Sequence, residues 1–326
     1  MSRAIDVMAE AFVAHALHQV EIPPRIQIEY TPSDAGQHTD GTTDGTIESN
    51  TALIMPACQP DRGNLSVKVI SLCPRNSEKG LAMIQAIVLL VDSDNGRPLA
   101  MLDGGSLTAI RTGAASGLAT RLLARADVKN AFIFGAGVQA RTQLEGVIAA
   151  RPSIERAWVT CPDMNLSERF AEEMSQRCGI TVTPTDNLSE LPEADVVCTA
   201  TPSREPLFQA SQIKQGCHIN AIGSYKITMR ELPPALLPEA LIVVDDIEHC
   251  LSETGDLILP IRDGIIGREN IFAELGELAQ GTKTVEPNGT RISLFKSVGL
   301  GVQDLYAAKA AFDEAARKNI GTEIDF

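Results

Sequence analysis

AFIFGAGVQA, residues 131–140, decides the fold. An apolar run at 131–134 is followed at once by the pattern GxGxxA at 135–140. That order predicts a strand, a tight turn and a helix N-terminus. The first glycine permits the turn, the second lets a pyrophosphate approach the backbone, and the small third position lets helix pack on strand. The helix dipole and its free N–H groups then hold a diphosphate. A lone match of this kind also describes ordinary tight turns. The strand before it and the amphipathic segment 141–150 after it favour a dinucleotide site, with Gly135, Gly137, Val138 and Gln139 as cofactor contacts.

Working outward, a helix at 107–125 precedes this turn. Strand 157–160, helix 166–178 and apolar runs at 180–183, 195–200, 217–222 and 241–245 follow it. Strand alternating with helix at this spacing predicts a parallel, doubly wound sheet. Upstream, an amphipathic helix at 3–20 is ended by Pro23-Pro24. Strand-like runs IQIEY, TALIMPA, LSVKVISL and AMIQAIVLLVD come next, separated by the polar loop SDAGQHTDGTTDG and by turns at 62–63 and 94–96. Strands without long helices between them imply an antiparallel or mixed sheet. The last helix, 302–318, is expected to return to this first domain. The chain therefore reads as α/β, with a Rossmann-type unit at 113–301 and an α+β domain made of 1–112 with 302–326.

Bulk composition bounds the function. Of 326 residues, 44% are hydrophobic and 21% charged, as in a soluble globular protein. The net charge of −14 argues against nucleic acid or an anionic membrane surface as partner, since both need a basic footprint. Seven cysteines are scattered without a CxxC pair, so neither a metal site nor a disulfide framework is visible. They read as reduced core thiols of a cytoplasmic protein. The N-terminal segment lacks the continuous apolar stretch of a signal peptide or membrane span.

Three basic residues stand in unlike contexts: Arg25 after the double proline, Lys68 inside LSVKVISL, and Arg111 ahead of a small-residue helix. Each alone has a bland reading as a solvated surface charge, which for Arg25 is as good as a functional one. For Lys68 and Arg111 that reading is weaker, because a charge among apolar neighbours needs a partner to offset desolvation. Should the three converge, they form a clamp for a carboxylate, with guanidinium groups binding bidentately and the ammonium adding a point charge.

At this point the chain resembles the ornithine cyclodeaminase/μ-crystallin family. The resemblance runs over nearly the whole sequence. It is carried by PPR at 23–25, KVISLCPRN at 68–76, GLAMIQAIVLLVDSDNGRPLAMLDG at 80–104, LTAIRTGAASGLATRLLAR at 107–125, FGAGVQA at 134–140, INAIGSY at 219–225, REL at 230–232 and FKSVGLGVQDL at 295–305. The family pattern has more chain ahead of its first helix, which implies a shortened start here. The resemblance implies a homodimer of two-domain subunits. The first domain would bind an amino or imino acid and pair subunits, and the second would bind NAD(P). It places the substrate carboxylate on Arg25, Lys68 and Arg111. Cofactor contacts implied by it fall on Thr112, the 135–139 turn, Thr199 or Thr201, Ala221, Ile222, Gly223 and Ser297; the end of the second nucleotide-fold strand adds Thr160 and Cys161.

The sequence departs from the cyclodeaminases at two positions. Their aspartate after the glycine of the INAIG segment corresponds here to Tyr225, and a second acidic position corresponds to Leu53 in TALIMP. Losing both carboxylates removes the base and the anchor for a side-chain ammonium. What survives is a carboxylate clamp and a nicotinamide, which suits hydride transfer to C2 of a cyclic α-imino acid. The expectation is reduction of Δ1-pyrroline-2-carboxylate, and of Δ1-piperideine-2-carboxylate, to L-proline and L-pipecolate. Lys68, Arg111 and Tyr225 are the expected catalytic residues, Tyr225 as a hydrogen-bond donor to the imine nitrogen or as a packed tyrosine. Two alternatives stay open: an ornithine cyclodeaminase or alanine dehydrogenase, and a non-catalytic binding protein like μ-crystallin.

For the cofactor, Cys161 stands where NAD-selective folds place an acid on the ribose. NADPH is thereby permitted, although no arginine beside it matches a 2′-phosphate. Asp163 reads as a helix N-cap. The cluster DDIEH at 245–249 reads as a solvated loop at a strand end rather than a metal site, and Ser116 lies inside a helix rather than on a nucleophile elbow.

Overall fold

The computed structural model describes residues 1–31, 49–286 and 289–324, and the polar loop at 33–45 lies outside them. The first half of the chain holds α1 (Ser2–Ala16), β1 (Ile26–Tyr30), β2 (Asn50–Gln59), β3 (Asn64–Leu72), β4 (Ile84–Asp92), β5 (Pro98–Asp103), α2 (Gly104–Leu123), β6 (Asn130–Phe134) and α3 (Val138–Ala150). The second half holds β7 (Arg156–Thr160), α4 (Met164–Cys178), β8 (Thr181–Pro184), β9 (Val196–Thr199), β10 (His218–Ala221), β11 (Leu241–Val244), α5 (Ile247–Glu253), α6 (Gly255–Arg262), β12 (Ile271–Glu274), α7 (Leu275–Gln280), β13 (Ser293–Lys296) and α8 (Gly301–Lys318). The chain forms two compact units, Met1–Leu17 with Ala109–Gly299, and His18–Thr108 with Leu300–Phe326. Among the described residues, no helix is long and apolar enough to cross a membrane.

The unit containing Gly135 is built on an eight-stranded sheet in the order β12-β11-β13-β10-β9-β6-β7-β8. Every neighbouring pair in it is parallel. Its central strands are buried on both faces, which is why they read as short continuous apolar runs rather than alternating ones. Phe132, Ile219 and Leu294 pack into one apolar layer. Ile133, Leu144, Phe170 and Met174 form another, with α3 and α4 contributing the last three. Winding reverses at β6, which lies between β7 and β9. Ligands of such sheets bind outside the strands' carboxyl ends at that switch point.

Two features of this unit differ from the sequence reading. The segment SLFK at 293–296, which runs into the FKSVGLGVQDL motif, is a central strand, β13, inserted between β10 and β11. At four residues, and with a serine and a lysine in it, it carries no periodic signal. Helix α1 clusters with this unit rather than with the residues that follow it. Glycines allow that approach: a Cβ on Gly276 would fall 2.4 Å from the Phe12 carbonyl, and one on Gly117 would fall 2.7 Å from Ile5. Ile5, Met8, Ala11 and Phe12 of α1 are buried as a result.

The other unit is a five-stranded antiparallel sheet in sequence order, β1 to β5. Alternate residues of β2 and β3 are buried, as a strand's period of two requires with one face covered. Helix α8 packs on β2, β3 and β4. The opposite face carries a cross-strand row in which Ile26, Ile54, Val69 and Ile87 stand directly beside one another.

Candidate active site

The glycine turn fits a dinucleotide diphosphate. Gly135 has φ of +101°, and a Cβ there would fall 2.6 Å from the Ala200 carbonyl oxygen, so a side chain is excluded on two counts. Gly137 caps α3, no side chain bonds the helix's first N–H groups, and nothing lies within 4 Å of where its Cβ would sit. The result is open space against unsatisfied helix donors. Val138 and Gln139 begin α3, and Thr112 is buried in α2.

Thr160 ends β7 and Cys161 follows it. The Ser167 hydroxyl donates to Cys161 Sγ at 3.2 Å, and Cys161 Sγ in turn lies 3.0 Å from the Asp163 carbonyl. Asp163 caps α4, its carboxylate accepting from the Asn165 N–H at 3.0 Å. The acid nearest this strand end is therefore engaged in a helix cap.

Thr199 ends β9 and Ala221 ends β10, with Thr201, Ile222 and Gly223 just beyond. Three of these five meet one side chain that sequence reasoning missed, Glu231. Its Oε2 accepts from Thr199 Oγ1 at 2.7 Å and from the Gly223 N–H at 2.8 Å. Its Oε1 accepts from the Thr201 N–H at 2.7 Å and from Thr201 Oγ1 at 2.8 Å. Burial and the neighbouring Asp256 carboxylate push the Glu231 carboxyl above its ordinary pKa, opposed by Lys296 and by these donors. Asp256 Oδ1 accepts from the backbone N–H groups of Glu231 and Leu232, and its Oδ2 lies 3.2 Å from Lys296 Nζ, both side chains being wholly buried. Glu231 lies one residue beyond the segment from Asn220 to Arg230, which holds no acid.

Asp245 does for the β13 end what Glu231 does for β9 and β10. Its Oδ2 accepts from Ser297 Oγ at 2.7 Å and from the Val298 and Gly299 N–H groups at 2.8 and 2.7 Å. This overturns the reading of 245–249 as a solvated loop. Asp245 is fully buried because the turn after β13 presents donors that need an acceptor, and the following residues are helix α5. Arg111, buried in α2, lies against the same turn: a Cβ on Gly299 would fall 2.6 Å from its Nη1. Tyr225 is half-buried, following a buried Ser224 whose hydroxyl donates to the Met229 carbonyl.

Within the antiparallel unit, Lys68 is not a surface charge. It lies on the covered face of β3, and its Nζ is 2.6 Å from Asp304 Oδ2 of α8, both side chains being buried. Asp304 was not anticipated, although QDL at 303–305 ends a motif the sequence singled out. Leu53 lies on the same covered face, and Arg25 is half-buried just ahead of β1.

Buried and clustered polar groups elsewhere in the unit containing Gly135 find structural work. His218 is wholly buried, Nδ1 2.9 Å from Ser293 Oγ and Nε2 3.2 Å from Asn220 Oδ1, and burial brings its pKa down to about 3. Among the described residues, His15, Asp246 and Glu274 are spaced as metal ligands would be. Asp246 already bridges two histidines, His15 Nε2 at 2.9 Å and His249 Nδ1 at 2.8 Å. The cysteines are less uniform than expected: Cys198, Cys217 and Cys250 are buried, and the other four only partly.

Residues 1–319 match the pattern of the ornithine cyclodeaminase/mu-crystallin family. A Δ1-pyrroline-2-carboxylate reductase of Bacillus cereus is 39% identical over 281 residues, which cover 86% of each chain. The solved structure of Thermococcus litoralis Δ1-pyrroline-2-carboxylate reductase, in complex with NADH and L-proline, is similar with a TM-score of 0.90 and 37% identity, covering 99% of this chain and 96% of that one. An archaeal alanine dehydrogenase, a dimer with bound NAD, gives a TM-score of 0.86 at 31% identity, covering 99% and 94%.

Proposed function

The chain belongs to the ornithine cyclodeaminase/mu-crystallin family, and from that premise we propose that it reduces a cyclic α-imino acid with NADPH or NADH. The substrates we assign are Δ1-pyrroline-2-carboxylate and Δ1-piperideine-2-carboxylate, giving L-proline and L-pipecolate. The observation that carries this reading concerns carboxylates. Tyr225 and Leu53 stand where cyclodeaminases have acids, and Leu53 lies on the covered face of its sheet. Glu231, the next acid along the chain, has its acceptor sites filled by four donors. It therefore has no lone pair to spare as a base for deaminating ornithine.

Reduction asks less of the protein. A protonated ring imine is already electrophilic, and positioning C2 supplies much of the rate. A bound nicotinamide supplies the hydride. We assign the substrate carboxylate to Arg25, Lys68 and Arg111, with Arg111 offering a bidentate fork and Lys68 an ammonium held in place by Asp304. Tyr225 is assigned as hydrogen-bond donor to the imine nitrogen. Cofactor binding is assigned to Thr112, to Gly135, Gly137, Val138 and Gln139, and to Thr160, Cys161, Thr199, Thr201, Ala221, Ile222, Gly223 and Ser297. The lean to NADPH rests on Cys161 in place of an acid. Pairing of two copies is assigned to the outer face of the five-stranded sheet, where Ile26, Ile28, Ile87 and Met101 are exposed at 56%, 48%, 48% and 68%.

The likeness to alanine dehydrogenase favours a second reading, in which the imine is the open-chain one formed from pyruvate and ammonia. One set of assays separates them: NADPH and NADH oxidation with the two cyclic imines, then with pyruvate plus ammonia, alongside ammonia release from ornithine. Turnover confined to the cyclic imines supports the proposal. Ammonia release from ornithine without imine turnover overturns it.

A further inference from the structure

We infer that Glu231 is the residue that positions the part of the cofactor site formed by the exits of β9 and β10, by holding those exits at a fixed separation. The inference rests on the proposed placement of the cofactor at those exits. Beyond the last residue of each strand the chain leaves the sheet, so the N–H groups of Thr201 and Gly223 have no partner in a neighbouring strand. Glu231 takes one with each oxygen, Thr201 N–H on Oε1 at 2.7 Å and Gly223 N–H on Oε2 at 2.8 Å. The approach is close enough that a Cβ on Gly223 would fall 2.4 Å from Glu231 Oε1.

Only a carboxylate fills this position. The two backbone donors are fixed, and they lie on opposite oxygens. A glutamine side chain, whichever way its amide is turned, sets an NH₂ group against one of them. Glu231 is itself anchored. Its N–H donates to Asp256 Oδ1 at 2.7 Å and its carbonyl accepts from the Leu207 N–H at 2.9 Å. Asp256 in turn faces Lys296, the last residue of β13, at 3.2 Å. The connected chain Lys296–Asp256–Glu231 thus links the ends of three adjacent strands. With four donors upon it, Glu231 does not carry protons in the reaction, so its role is one of geometry.

The test is equilibrium binding of NADH, followed by its fluorescence, to wild type, Glu231→Gln and Thr201→Val, with thermal midpoints measured in parallel. Thr201→Val removes one of the four donors and leaves the backbone N–H in place. Glu231→Gln is expected to weaken NADH binding about tenfold to a hundredfold, while the KM for the imine moves about threefold or less. Thr201→Val, which also removes the acceptor of the Ser203 N–H, is expected to weaken NADH binding by a smaller factor with only a small drop in the thermal midpoint. Wild-type NADH affinity in both variants overturns the inference. So does an unfolded Glu231→Gln combined with a Thr201→Val that binds as wild type, or a loss of affinity that only tracks the unfolded fraction. Because NADH binding needs no imine, failure of the proposed substrate leaves this result standing by itself.

Discussion

The Arg111 guanidinium rests against the backbone of Gly299, where a Cβ would fall 2.6 Å from Nη1 and 2.8 Å from Nη2. Gly299 has φ of +81°, and its N–H is held by Asp245 at 2.7 Å. The turn cannot retreat without giving up that bond. Gly299→Ala is therefore expected to displace Arg111 and to raise the imine KM about tenfold or more, with a stability loss of about 1–3 kcal/mol from the strained backbone. NADH affinity is expected to change far less. Steady-state kinetics beside an NADH titration checks the split.

The Lys68–Asp304 pair separates folding from substrate binding. Removing one partner takes away the counter-charge that the other faces at 2.6 Å in a buried setting, so Lys68→Met and Asp304→Asn should each cost about 3–5 kcal/mol in urea unfolding. The double variant Lys68→Met/Asp304→Leu should recover most of that stability while imine turnover stays lost. Recovery of turnover in the double variant would remove Lys68 from the clamp.

His218 sets an acid limit. Burial brings its pKa down to about 3 in the folded chain, below the ordinary value of about 6.5. Between those values the unfolded chain binds the extra proton, so stability is fully present above about pH 6.5 and falls as the pH drops towards 3. The loss from this group by pH 5 is about 2 kcal/mol. Urea midpoints at pH 7 and pH 5 should differ less in His218→Gln than in wild type.

On the proposed cofactor placement, Cys161→Asp puts a carboxylate just after β7, where it would repel a 2′-phosphate and accept from a ribose hydroxyl. The kcat/KM for NADPH should fall about tenfold or more and that for NADH should hold or rise. Assays with both nucleotides on one preparation read the ratio directly.

Ile87 lies in the middle of the exposed row on the five-stranded sheet, beside Val69. Ile87→Glu should shift the molecular mass by light scattering from dimer to monomer with little change in the thermal midpoint. A wild-type chain that already runs as a monomer would refute the assigned interface.

The parts of this fold that announce themselves in sequence are local. The glycine turn at 135–140, helix α3 and the alternation in β2 and β3 each follow from neighbours a few residues apart. Even Lys68 signalled its need for a counter-charge through the apolar residues around it. The partners did not signal themselves. Asp304, Glu231, Asp245 and Asp256 are acids whose meaning comes from groups brought to them by the fold, and nothing in their own segments marks them as buried. β13 was hidden for a related reason: a short strand buried on both faces, containing Lys296, has neither length nor period to reveal it.

Helix α8 has one more consequence, for the order in which the protein is assembled. It is the last helix of the chain, yet it covers strands made near the start and supplies the carboxylate for Lys68. As the chain leaves the ribosome, β1 to β5 lack the helix that covers one of their faces, and Lys68 lacks the Asp304 carboxylate, until nearly all the rest has been synthesised. The intervening domain can close on itself in the meantime, since its strands all come before α8. Covering of the antiparallel sheet by α8 is thus a late, long-range event, and conditions that delay it leave an apolar face open to aggregation.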